Sequence, residues 1–395
     1  MELLNPFLKY EEKSIINRFF KHSDVISLLN NLDPEKFFLT NLGSSAEGRS
    51  INLVKFGIGK TRILLWSQMH GDEPTATMAL FDLFNFLQDT DERDNLRNSI
   101  STNCTLFILP MLNPDGAEIF TRRNVQGIDI NRDFLQRQTP EGKVLAACRN
   151  DVNPHFAFNL HDQSTIWSAG KSGNPATISL LAPAFDVNLS VNPTREKAIQ
   201  VISSINKELQ QIIPDHVGRF ADEYEPRAFG ENFQKAGTST ILIEAGGYAD
   251  DGEKQFIRKV TFTAILKGLE VIASKAYLNE DETNYFSIPK NEKLHFQILL
   301  RNCKLNHRGN SYYADIGLVA VERINEDLKS ISITYMIEDM GDLSGFNGYE
   351  WYDASGLQIT LIKPLICQQN ADIIIQDGMT NILTIENGRI TCKNF

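Results

Sequence analysis

The chain has 395 residues, more than one average domain, so two domains are expected. A hydrophobic fraction of 42% and a charged fraction of 23% are those of an ordinary soluble globular protein. The net charge of −11, with no cluster of Lys and Arg, argues against a nucleic-acid partner, because no basic footprint is there to meet a phosphate backbone. The N-terminal stretch is interrupted by Glu2, Lys9, Glu11 and Glu12 and does not read as a secretory signal. No apolar run approaches bilayer length, so no membrane partner is expected. Cys104, Cys148, Cys303, Cys367 and Cys392 are scattered, with no C-x-x-C pair, and read as free thiols of a reducing compartment. The expected location is therefore cytoplasmic.

In chain order, Tyr10 to Leu32 carries a rough helical period and reads as a helical lead-in, which His22-Ser-Asp24 can break in two. Two extended segments, Phe37 to Gly43 and Ile51 to Gly57, flank a Gly/Ser-rich connector and suggest an edge hairpin. The apolar run Arg62 to Met69 ends in His70-Gly-Asp-Glu73-Pro-Thr, and Pro74 opens a buried helix over Thr75 to Leu87. A charged loop, Asp89 to Asn98, leads to a strand from Cys104 that ends in Asn113-Pro-Asp-Gly116. A helix is expected over Pro140 to Arg149, and a strand from Phe156 to Leu160 runs into His161-Asp162. Ser168 to Pro193 reads mostly as loop with a short strand at Ile178 to Leu181, and Thr194 to Ile213 as helix. Pro226 to Thr238 reads as loop, Ser239 to Ile243 as a strand delivering Glu244, and Lys254 to Lys275 as a long helix.

This alternation implies an α/β fold, with a mixed, largely parallel twisted sheet flanked by helices. Ligands bind past the carboxyl ends of such strands, which is where His70, Asn113, His161 and Glu244 fall. A domain over residues 1–278 is expected, followed by a smaller all-β domain of unknown role over 285–395. Short β-branched runs there are punctuated by Asn347-Gly348, Asp377-Gly378 and Asn387-Gly388, which read as hairpin turns.

His70 and Glu73 form a metal half-site of donors that suit zinc, and a catalytic zinc keeps three protein ligands and one open position. His161 is the candidate third ligand, although a lone histidine there is more often a hydrogen-bonded structural residue. Glu244, taken in isolation, reads first as a helix cap or the partner of a buried arginine, and as a proton carrier if it faces a metal. Arg122, Asn131 and Arg132 lie in one short segment with Arg123, and an arginine fork there can hold a carboxylate or a developing oxyanion. Surface charge is the plainer reading for some of these arginines. Asp129 can orient a ligand histidine or simply make a turn.

Together, His70-Gly-Asp-Glu73, Asn113-Pro-Asp-Gly, Arg122, Gly127-Ile-Asp129-Ile-Asn131-Arg132-Asp-Phe, His161 and Glu244 resemble the carboxypeptidase A-type zinc metallopeptidases, in their short form. Ser44-Ser-Ala-Glu-Gly-Arg-Ser-Ile51 resembles the edge-strand segment of that family, and the likeness spans about residues 35 to 275. The resemblance implies one Zn2+ per chain on His70, Glu73 and His161, with Asp129 orienting a ligand histidine. It implies Arg122 as the group that polarises the carbonyl, with Asn131 and Arg132 holding the substrate carboxylate. It also implies Glu244 as general base and then acid, and Tyr224, twenty residues earlier, as a candidate cap on that carboxylate. The expected activity is hydrolysis of the C-terminal peptide bond of a peptide. An amidase or deacylase acting on an N-acyl amino acid, in the manner of aspartoacylase-like relatives, is the alternative substrate class. A catalytically inactive binding protein is the third reading. The sequence carries no signal of oligomeric state.

Overall fold

Strands and helices alternate from Phe37 to Ala245 because each apolar run is bounded by a turn or capping signal. The structure, a computed structural model, describes residues 9–325, 327 and 330–394. In chain order the elements are α1 (His22–Asn30), β1 (Phe37–Ser44), β2 (Ser50–Phe56), β3 (Thr61–Trp66), α2 (Thr75–Gln88), α3 (Asp94–Asn103), β4 (Cys104–Leu109), α4 (Pro114–Glu118), α5 (Pro140–Val152) and β5 (Phe156–Asp162). After these come β6 (Trp167–Ala169), β7 (Ile178–Leu181), α6 (Pro193–Ile212), β8 (Val217–Arg219), α7 (Phe229–Lys235), β9 (Ser239–Ala245), α8 (Gln255–Ser274) and α9 (Glu282–Phe286).

The main sheet has eight strands in the order β1-β2-β4-β3-β5-β9-β7-β8. Its centre, β4-β3-β5-β9, is parallel, while β1, β2 and β7 pair antiparallel toward the edges. The sheet is thus mixed and largely parallel at its heart. Period-two alternation sends successive side chains to opposite faces. Ile63, Leu65, Phe156, Phe158 and Leu160 join α2, α6 and α8 in one core, and Leu64, Trp66 and Ala157 join α5 and α7 in another. Helices on both faces leave the carboxyl edge of the parallel strands as the place where functional side chains gather.

In the α/β part, three expectations differ from the structure. The lead-in is helical only from His22, apart from one short turn at Lys9 and Tyr10. Tyr10, Ile15 and Phe20 are buried in the core. The Arg258 guanidinium takes the carbonyls of Glu12 and Ile15, and Asp82 accepts the Glu12 N–H, so long-range partners satisfy this backbone in place of helical bonds. The charged stretch after Asp89 is partly helix α3, whose Arg97 is buried against Asp91, Asp94 and the Phe86 carbonyl. Within Pro226 to Thr238 lies α7, which buries Phe229 and Phe233.

The chain divides at Asn291/Glu292, against an expected break between 278 and 285, and the smaller unit also takes in Thr165–Pro175. That unit is all-β: β10 (Asn291–Lys293), β11 (His295–His307), β12 (Asn310–Ile324), β13 (Ile331–Gly341), β14 (Asn347–Asp353), β15 (Gln358–Leu361), β16 (Ile373–Asp377), β17 (Thr380–Glu386) and β18 (Arg389–Lys393). Two four-stranded sheets, β13-β12-β11-β14 and β15-β16-β17-β18, enclose a core that includes Ile298, Leu300, Ile316, Ile373 and Leu383. Asp377-Gly378 and Asn387-Gly388 make hairpin turns, whereas Asn347-Gly348 begins β14, paired in parallel with β11. Thr165–Pro175 is held within this unit. β6 pairs with β10, Tyr349 donates to the Thr165 carbonyl (2.9 Å) and the His295 N–H to that of Ile166 (3.1 Å).

Candidate metal centre

Four segments bring the site together. After β3 the chain turns through Gln68, at positive φ, and presents His70 and Glu73. Gly71 is required there, since a Cβ would lie 2.0 Å from the Gly116 carbonyl carbon. Asn113 explains the neighbouring motif: its side chain caps α4 by accepting from the Gly116 N–H (2.9 Å) and donates to the Met69 carbonyl (3.3 Å). Asp115 in turn accepts from the Ser45 hydroxyl, the Glu47 N–H and Arg49, fixing the edge-strand connector. His161 and Glu244 are the penultimate residues of β5 and β9 and are register partners in these adjacent parallel strands.

His70, Glu73 and His161 are all buried and offer ligand atoms within 4.8 Å of one another. Glu73 Oε1 lies 2.7 Å from His70 Nδ1, Glu73 Oε2 lies 2.7 Å from His161 Nδ1, and the two imidazole nitrogens are 3.2 Å apart. The opposite nitrogen of His70, Nε2, donates to Asp129 Oδ1 (3.1 Å). A carboxylate can only accept, so Nε2 carries a proton, and in its neutral, metal-binding form the ring has its lone pair at Nδ1, toward Glu73 and His161. Two imidazole nitrogens and a carboxylate converging on one point call for a positive charge between them. A divalent, imidazole- and carboxylate-loving ion such as zinc fits that donor set.

The electrostatics agree. Burial opposes a charged His70, but Glu73 and Asp129 outweigh it and push the imidazole up to about 9. Burial favours a neutral Glu73, yet the two imidazoles hold it well below the usual carboxylate range. His161 is lowered, chiefly by burial. Burial pushes Glu244 well above the ordinary range, with Glu73 adding to the effect. The Glu244 carboxyl makes no hydrogen bond among the described residues, so it is neither a helix cap nor the partner of a buried arginine.

Arg122 lies over the centre. Its Nη1 donates to Glu73 Oε1 (3.1 Å), and its Nε and Nη2 reach Asp129 Oδ2 at 3.1 and 3.0 Å. Arg123, the neighbouring candidate, instead donates to the Gly127 carbonyl and is exposed. Asn131 and Arg132 sit on a single 3-10 turn that Asp129 caps. Asn131 Oδ1 accepts the Phe229 N–H (3.0 Å), and Arg132 Nε lies 3.2 Å from Glu225 Oε2. Tyr224, next to Glu225, is half-buried, and its hydroxyl makes no hydrogen bond among the described residues. The sequence reading passed over Glu225 and the buried group Thr75, Asp162 and Lys254, whose hydrogen bonds meet beneath the site. The only local signal for the latter was an acid directly after His161.

Residues 23–185 match the family model described as zinc carboxypeptidase. Carboxypeptidase SOL1 of Arabidopsis thaliana is 35% identical over 108 residues, a stretch covering 25% of this chain and 22% of that protein. The match thus spans less than a quarter of that relative's length. In fold, the chain is similar to a metallo-carboxypeptidase from Burkholderia cenocepacia (TM-score 0.53, 14% identity, 65% of this chain and 70% of that one). It is also similar to the carboxypeptidase A of Helicoverpa armigera (TM-score 0.51, 17% identity, 71% and 81%). Among the described residues, no helix is long and apolar enough to cross a membrane.

Proposed function

From the match of residues 23–185 to the zinc carboxypeptidase family model, we propose that the chain is a zinc-dependent hydrolase that cleaves the C-terminal peptide bond of a peptide. The observation that carries this reading is the convergence of His70 Nδ1, His161 Nδ1 and both Glu73 oxygens, with Glu244 directly across from His161. His70, Glu73 and His161 hold the metal, one ion per chain, and Asp129 fixes the His70 tautomer. When bound, zinc supplies Lewis-acid polarisation and a water that ionises near neutrality.

The protein's own groups do the rest. Asn131 and Arg132 grip the carboxylate of the substrate's last residue, with an arginine fork matched to that planar anion. Tyr224, in the loop that also carries Glu225, closes on the same carboxylate. Arg122 steadies negative charge developing on the scissile carbonyl oxygen. Glu244 takes a proton from the attacking water at a carboxylate oxygen and delivers it to the departing amine nitrogen. Burial of Glu73, His161 and Glu244 keeps bulk water from competing for these contacts.

The test is Glu244→Gln, which keeps shape and removes the base. Stoichiometric zinc with hydrolysis of C-terminal residues reduced by about 100-fold or more is expected, the range for a lost acid–base catalyst. Near-parental hydrolysis by a zinc-loaded Glu244→Gln protein refutes the assignment.

A further inference from the structure

Beneath the metal centre lies a buried ion pair that the reaction does not use. Asp162 directly follows His161, and its Oδ2 accepts from Thr75 Oγ1 (2.5 Å) and Lys254 Nζ (2.9 Å). Lys254 Nζ also donates to the Ala245 carbonyl (3.3 Å), one residue beyond Glu244. Thr75 begins α2, two residues after Glu73, and the Asp162 N–H donates to Glu73 Oε2 (3.2 Å). The side chains of Asp162 and Lys254 are 7% and 8% exposed, and Thr75 is fully buried. Lys254 sits at φ +53°, a left-handed conformation that a lysine adopts only when its surroundings impose it.

Three of the residues proposed to do chemistry on the sheet's carboxyl edge therefore lie close in the chain to this group: Glu73 is two residues before Thr75, His161 is next to Asp162, and Glu244 is next to the Ala245 carbonyl. A buried ion pair adds little net stability over apolar side chains of the same size, so stability alone does not explain it. Geometric control does, since a misplacement of about 1 Å in a reacting group costs on the order of 100-fold in rate.

We propose that Thr75, Asp162 and Lys254 are positioning residues that lock α2, β5 and β9 together, so that Glu73, His161 and Glu244 keep one fixed arrangement. The inference rests on the zinc hydrolase reading of the site. None of the three touches substrate. Their effect passes through the backbone to the metal ligands and the base.

The test uses the full chain and the double variant Asp162→Asn/Lys254→Met, which removes both charges and leaves no unpaired ion. Three quantities are read: the melting midpoint of the metal-free protein, zinc affinity by competition with a chromophoric chelator, and kcat and KM on a C-terminal peptide. The metal-free midpoint should move by about 4 °C or less, as for a near-neutral swap. Zinc affinity should weaken about tenfold, as when a group supporting a ligand is lost. kcat should fall about 10- to 100-fold with KM within about threefold, and Lys254→Arg, which keeps the cation, should retain most of kcat. A folded double variant with parental zinc affinity and kcat overturns the proposal. Thr75→Val leaves both charges in place and is the second variant, expected to lower kcat and zinc affinity in the same direction. No change in either, in a folded Thr75→Val protein, also overturns it. A parent protein with neither zinc nor hydrolysis sinks the functional reading and this proposal with it, while an active parent with unchanged variants sinks this proposal alone.

Discussion

Asp129 accepts from His70 Nε2 through one oxygen and from Arg122 through the other, so one carboxylate sets both a tautomer and the placement of a guanidinium. Asp129→Asn keeps the shape but offers an amide that can turn its N–H toward His70 and favour the wrong tautomer. Zinc affinity of that variant should fall about 10- to 100-fold, read by chelator competition, with the fold unchanged by circular dichroism. Under the proposed function, Glu225 competes with a substrate carboxylate: it pairs with Arg132, and Arg227 first and Arg132 second hold its own acidity down to about 2. On that proposal, substrate draws Arg132 away from it. Glu225→Gln should therefore lower KM about two- to fivefold with kcat unchanged, the range for releasing an exposed ion pair. The reach of sequence reading differs among these residues. His161 was readable because an apolar strand ran straight into it, whereas Glu225 gave no signal, since its importance comes from a loop folding back on a distant turn.

β3, β5 and β9 were legible from pattern alone, because strands buried on both faces are nearly continuous apolar runs and leave little room for another reading. Helix α3 was masked by its charges: Ile100 and Arg97 are buried and Leu96 packs against the core, while the guanidinium is satisfied by Asp91, Asp94 and a carbonyl of α2. The lead-in failed for the opposite reason, since Tyr10, Ile15 and Phe20 are buried along an irregular path that Arg258 and Asp82 hold in place. Arg258 is fully buried. Arg258→Met strands the Asp82 carboxylate and two carbonyls, and should cost about 3–5 kcal/mol in denaturant unfolding, the usual result of breaking one side of a buried pair. Asp82→Asn/Arg258→Met should recover part of that loss.

The two units have separate cores, and the candidate metal site belongs to the larger one. Ligand linkage then predicts that zinc at about 100 times its dissociation constant stabilises the larger unit by about 2.7 kcal/mol. Calorimetry with and without chelator should show this as a raised midpoint for the transition of the larger unit. A chelator-insensitive melt would remove zinc from the account. The boundary between the units was only partly readable, because composition marks where β structure begins but not that an earlier loop has been borrowed. Thr165–Pro175 leaves β5 three residues after Asp162, pairs through β6 with β10, which starts at Asn291, and returns to β7. Ser168 meets the Glu292 carbonyl across 124 positions of chain, and the Thr165 carbonyl meets Tyr349 across 184. During synthesis this loop therefore leaves the ribosome long before anything it pairs with exists. A nascent chain halted near residue 290 would hold every proposed ligand and still lack the partners of that loop.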